Sequence, residues 1–119
     1  MIERLKIGQD TVESKGFLFD YLYSYLLRFA KRNKILFSEN LEIPNDLLID
    51  FSLMLETSLQ DLLEDCYEEP THKQRSKFPT RYQKINLRDK LYVVDYRKDI
   101  VGKIAYRIDA LINRVKELS

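Results

Sequence analysis

The side chains able to do chemistry are few, and their spacing does not suit it. His72 is the only histidine and Cys66 the only cysteine, so no Cys pair, His pair or His-Glu-x-x-His motif is present to hold a metal. His72 stands beside Lys73 and Arg75 in a polar stretch, where an imidazole is solvated rather than tuned. Cys66 falls in the apolar phase of a helical stretch, among Asp61, Glu64, Asp65, Glu68 and Glu69. Their charge disfavours a thiolate, and the residue reads as a small buried hydrophobe. Asp61, Glu64, Asp65 and Glu68 lie close enough to suggest a Mg²⁺ or Ca²⁺ site, but without a glycine-bearing loop they read as a solvated acidic face. Asp10 with Glu13-Ser14-Lys15 has the residue types of a metal-dependent nuclease triad, with the first acid too near the second. Gly8, Gly16 and Gly102 stand apart, so no glycine loop cradles a phosphate. The chain is therefore expected to carry no catalytic residue, no metal and no cofactor, and not to be an enzyme.

Charge and aromatic surface are left as the functional signals. Residues 39–69 hold ten acids and no Lys or Arg, whereas residues 73–90 hold seven bases against the single acid Asp89. The whole-chain net charge of +1 hides this division. Lys73, Arg75, Lys77, Arg81, Lys84 and Arg88, with Phe78 and Tyr82 interleaved, are the residue types that grip phosphates and stack on an unpaired base. Lys103, Arg107 and Arg114 would extend that surface along a later helix. The same segment suits an acidic protein partner, and it could also fold back on the acidic helix of its own chain. The second signal is the run Phe17, Tyr21, Tyr25 and Phe29. These rings, with their neighbours, point in more directions than two adjacent helices can cover, which predicts an oligomer interface. A central helix in a monomer is the competing reading.

The elements that would position these residues come from periodicity. Asp20, Ser24 and Arg28 stack as one polar stripe on a helix over 11–34, closed by Lys31, Arg32 and Lys34 at the end where the macrodipole favours cations. Pro44, Asn45 and Asp46 open a second helix running to Tyr67, with Leu48, Phe51, Leu55, Leu59, Leu62 and Cys66 on its apolar face. Residues 68–83 read as a long exposed basic loop. From 98 to 118, Val101, Ile104, Ala105, Ile108, Leu111, Ile112, Val115 and Leu118 form a continuous stripe. Segment 90–96 fits a helix or a strand equally well.

Three glycines and three prolines are too few to punctuate an all-β chain. The expected fold is thus all-α: a single domain over 1–119, an antiparallel bundle of three to four helices with a long basic loop. The alternative is an α+β fold with a short strand or hairpin near 90–96. A charged N-terminus, a lone cysteine and no apolar run near the roughly 20 residues of a bilayer span predict a cytoplasmic protein without a membrane partner. The expected function is a non-enzymatic helical interaction module, a homo-oligomer or a small subunit of a larger assembly. Its alternative is an RNA- or DNA-binding accessory protein acting through residues 73–90.

Overall fold

Apolar and polar residues alternate in Arg4-Leu5-Lys6-Ile7 and again in Asn40-Leu41-Glu42-Ile43, the apolar members buried and the polar ones exposed. A period of two places successive side chains on opposite faces of a sheet. In the computed structural model, which describes residues 2–13, 17–66, 72–77, 82–95 and 99–119, these segments are the strands β1 (Arg4–Ile7) and β3 (Asn40–Ile43). Strand β2 (Asp10–Glu13) returns antiparallel to β1, and β3 lies parallel on the other side of β1, in the order β2-β1-β3. The β1–β2 turn is Gly8-Gln9, in which Gly8 takes φ +58°. Glycine at the first central position is the signature of a type II′ turn. A second sheet is the hairpin of β4 (Tyr82–Leu87) and β5 (Lys90–Asp95). Its turn residues Arg88 and Asp89 take φ 52° and 62°, the type I′ pattern made without glycine.

Helix α1 covers Leu18–Arg32, α2 covers Leu48–Cys66 after one 3₁₀ turn at Asn45–Leu47, α3 is the short His72–Lys77, and α4 covers Asp99–Leu118. The fold is α+β, and the expected all-helical bundle is overturned by the two sheets. Counting glycines and prolines misled because Arg88 and Asp89 supply a tight turn themselves. The first helix begins at Leu18 rather than residue 11, since Thr11–Glu13 pair with β1. The predicted long loop gives way to α3 and to β4, and segment 90–96 is strand through Asp95.

One core joins these elements. Leu5 and Ile7 of β1 and Leu41 and Ile43 of β3 are buried together with the predicted stripes of α2 (Leu48, Phe51, Leu55, Leu59, Leu62) and α4 (Ile104 to Val115). Leu18, Phe19, Leu22, Leu26, Phe29 and Ala30 add the inner face of α1. The most extensive helix–helix packing is between α2 and α4, with α1 lying more lightly on α2. Ser52 and Ser58 are buried on α2, each hydroxyl donating to a carbonyl one turn back at 2.6 Å, which satisfies the buried group within the helix.

The end of α1 is closed by a Schellman motif. The Ile35 amide donates to the Ala30 carbonyl at 2.9 Å and the Lys34 amide to the Lys31 carbonyl at 3.4 Å, with Lys34 left-handed at φ 56° where glycine is usual. A side chain in that conformation costs about 1–2 kcal/mol. Lys34→Gly and Asp89→Gly should therefore each stabilise the protein, by about 0.5–1 kcal/mol once the extra unfolded-state entropy of glycine is included. Leu59→Ala or Ile108→Ala should cost about 2–5 kcal/mol. Chemical denaturation measures all four, and a loss under about 1 kcal/mol at both core sites would mean that the faces are misassigned.

Candidate interaction cleft

Helices α1 and α2 run antiparallel. The Tyr21 hydroxyl donates to the Ser58 carbonyl at 2.6 Å, while Phe29, two turns further along α1, packs edge-to-face on Phe51, two turns back along α2, with ring centroids 5.3 Å apart. The Tyr25 hydroxyl donates to Asp61 Oδ2 at 2.6 Å. Burial pushes that hydroxyl's pKa up, and the hydrogen bond to the carboxylate pushes it the same way, so it stays a donor at neutral pH. The Arg28 guanidinium lies over the Tyr25 ring, 5.3 Å from its centroid, a cation–π contact.

Between the helices is an open cleft of about 520 Å³. Tyr25, Phe29 and Asn33 share a lip with Arg28 and Arg32, all at spacings of three or four on α1. Opposite them α2 presents Asp50, Leu53, Thr57 and Asp61, again three or four apart, with Met54 beside them. Such spacings put side chains in line on one helix face. Leu53 is 55% exposed and Ile49, one turn before it, 66% exposed. Both fall outside the buried stripe of α2, so the helix shows apolar side chains on a face that its own core does not use.

The four residues expected at an oligomer interface are divided. Phe29 is only 6% exposed and belongs to the core. Tyr21 and Tyr25 are half-buried, with their hydroxyls engaged by α2. Phe17 alone, at 54%, keeps most of its surface.

The basic set is also dispersed. Lys73 and Lys77 are exposed on α3, which carries Arg75 as well, and Tyr82 and Lys84 belong to β4. Phe78 and Arg81 lie outside the described residues. Arg88, at the hairpin turn, donates from Nε to Asp109 Oδ1 at 2.8 Å and from Nη1 to Glu56 Oε1 at 3.4 Å. Lys116 donates to the same Glu56 oxygen at 2.7 Å. Arg114 forks onto both Asp10 oxygens and also reaches Glu117. Arg88 and Arg114 are thus ion-paired inside the chain, and Asp10, considered above as a nuclease acid, is held by arginine.

His72 opens α3 and Cys66 closes α2. Among the described residues no three His, Cys, Asp or Glu side chains are grouped to hold a metal. None of the described helices is long and apolar enough to cross a membrane. No known protein family, curated protein or solved structure matches the chain.

Sequence reasoning missed the cleft and the Arg114–Asp10 pair, whereas the contact of Arg88 with Glu56 is of the kind expected if the basic segment folds back on the acidic helix. Ile49 and Leu53 were the available signal for the cleft: two large apolar residues one turn apart and out of phase with the buried stripe. The Arg114–Asp10 pair had no signal, since it joins elements far apart in the chain.

The hydrogen bond from Lys116 holds the Glu56 carboxyl below its ordinary value against the opposing effect of burial, with Arg88 adding to it. Arg114 does the same for Asp10. A carboxyl lowered in the folded state contributes stability that is present above its unfolded value and is lost as pH falls through the folded one. The melting temperature should hence be flat above roughly pH 5 and fall below about pH 4. Glu56→Gln should make the acid limb shallower and cost under about 1 kcal/mol at neutral pH, because the network is partly exposed. A melting temperature that rises on acidification would contradict these assignments.

Proposed function

We propose that this chain is a non-catalytic protein-interaction module whose docking surface is the cleft between α1 and α2. The observation that carries this reading is the exposed pair Ile49 and Leu53 on α2, with Leu53 lining the open cleft together with Phe29 and Met54. Apolar side chains rimmed by charged ones are the usual make-up of a protein interface. Met54 adds a flexible, polarisable side chain that adapts to a partner's shape. The tyrosines support the reading in another way, since Tyr21 and Tyr25 brace α1 against α2 and keep the lips in place before a partner arrives, which lowers the ordering cost of binding.

Nucleic-acid binding through residues 73–90 has less support. Arg88 has carboxylate partners within the chain, and so does Arg114. Releasing either to a phosphate would leave Glu56, Asp109 or Asp10 without its arginine.

A photo-activatable side chain at position 53, compared with one at the exposed Thr11 of β2, tests the proposal in the cells that make the protein. Irradiation should give a discrete adduct at 53 and none at 11. No adduct at 53, or equal adducts at both positions, would reject the cleft as a docking surface.

A further inference from the structure

The two lips of the cleft carry opposite charge. Arg28 and Arg32 stand one helical turn apart on the α1 lip, and Asp50 and Asp61 mark the α2 lip with Leu53 and Thr57 between them. Because the helices are antiparallel, the end of α1 that bears Arg32 lies beside the start of α2, where Asp50 is found. Both residues are exposed.

A strip with an apolar middle, one basic edge and one acidic edge is complementary to itself. A two-fold axis in the plane of the interface and parallel to the helices lays each copy's α1 over the other's α2. That operation preserves position along the cleft. It brings Arg32 of each copy to Asp50 of the other and covers Leu53 and Ile49 of each with the other's α1. An acidic peptide or a phosphate backbone would meet Asp50 and Asp61 as like charges, and a basic peptide would meet Arg28 and Arg32. A net charge of only +1 leaves little overall repulsion between two copies. On the basis that the cleft is the docking surface, we infer that its partner is a second copy of this chain, joined about a two-fold axis that pairs Arg32 with Asp50.

Light scattering behind size exclusion, over a range of concentrations, reads the association of the full chain. The wild type should approach twice the 14.3 kDa chain mass at high concentration, and added salt should weaken the association. Arg32→Asp alone places Asp against Asp at both contacts, and Asp50→Arg alone places Arg against Arg. Each should dissociate the dimer, raising the dissociation constant by about tenfold or more. The mixture of the two single variants is the decisive arm. In the mixed pair one contact is Asp to Arg and the other Arg to Asp, so dimers should re-form from two proteins that are each monomeric alone. Pairing of Arg32 with Asp50 inside one chain could not produce that rescue. Unchanged melting temperatures would establish that the single variants fold, as exposed positions should, and Arg32→Gln with Asp50→Asn provide milder versions if they do not. A wild type that stays monomeric at every concentration overturns the inference, and so does a dimer that survives both reversals or a mixture that fails to associate. The photo-adduct at position 53 separates these failures from failure of the cleft itself, because a different partner would still give an adduct, of another mass.

Discussion

The packing of α2 along α4 is the constraint on which the rest of this structure depends. Leu48, Phe51, Leu55, Leu59 and Leu62 are all nearly inaccessible, and a stripe of that length on a helix of 19 residues commits one whole face to the core. β1 and β3 close the same core with two inward residues each. α1 adds its inner face, Leu18 to Ala30, to that core and also lies along the flank of α2. It touches that flank through Phe29 on Phe51 and through two tyrosine hydroxyls, and the rest of the junction stays open as the cleft. The cleft opens between α1 and α2 beside these contacts, with the exposed Leu53 on its α2 side.

Ion pairs act in this protein as ties between elements rather than as sources of core stability. Arg114 fastens the edge strand β2 to α4 through Asp10. Arg88 fastens the tip of the β4–β5 hairpin to Asp109 on α4 and to Glu56 on α2. Exposed pairs contribute little singly, so their effect lies in placement. The anchoring of Arg88 also accounts for a turn that adopts a left-handed backbone at two residues without glycine, a conformation that persists where surrounding contacts determine it.

Long apolar periods were readable from the sequence, and short elements were not. The stripes of α2 and α4 are regular over many turns, and where the structure describes their side chains it buries the residues that the spacing selects, apart from the partly buried Leu118. Strands of four residues hold only two inward positions, too few for alternation to stand out, although Leu5-Lys6-Ile7 before Gly8-Gln9 was a legible hairpin signal. Lys34 and Arg88 adopt left-handed conformations that residue type argues against, so no rule based on glycine would find them. For the cleft, Ile49 and Leu53 were visible as out-of-phase residues on α2. The opposite lip required knowing that α1 crosses that face, which is tertiary information. The charge division between 39–69 and 73–90 was plain, but the carboxylates that hold Arg88 and Arg114 are a matter of three-dimensional packing.

If two copies associate through the cleft, the face of α2 bearing Ile49 and Leu53 is covered while other exposed apolar residues are not. Paramagnetic relaxation of methyl resonances by a soluble probe measures this directly, as a function of protein concentration. The Ile49 and Leu53 methyls should relax strongly in dilute solution and become protected as concentration rises. Over the same range Leu36, which is 81% exposed on the connection after α1, should stay fully accessible. Equal relaxation of Ile49 and Leu53 at every concentration, or protection of Leu36 in their place, would contradict association through the cleft.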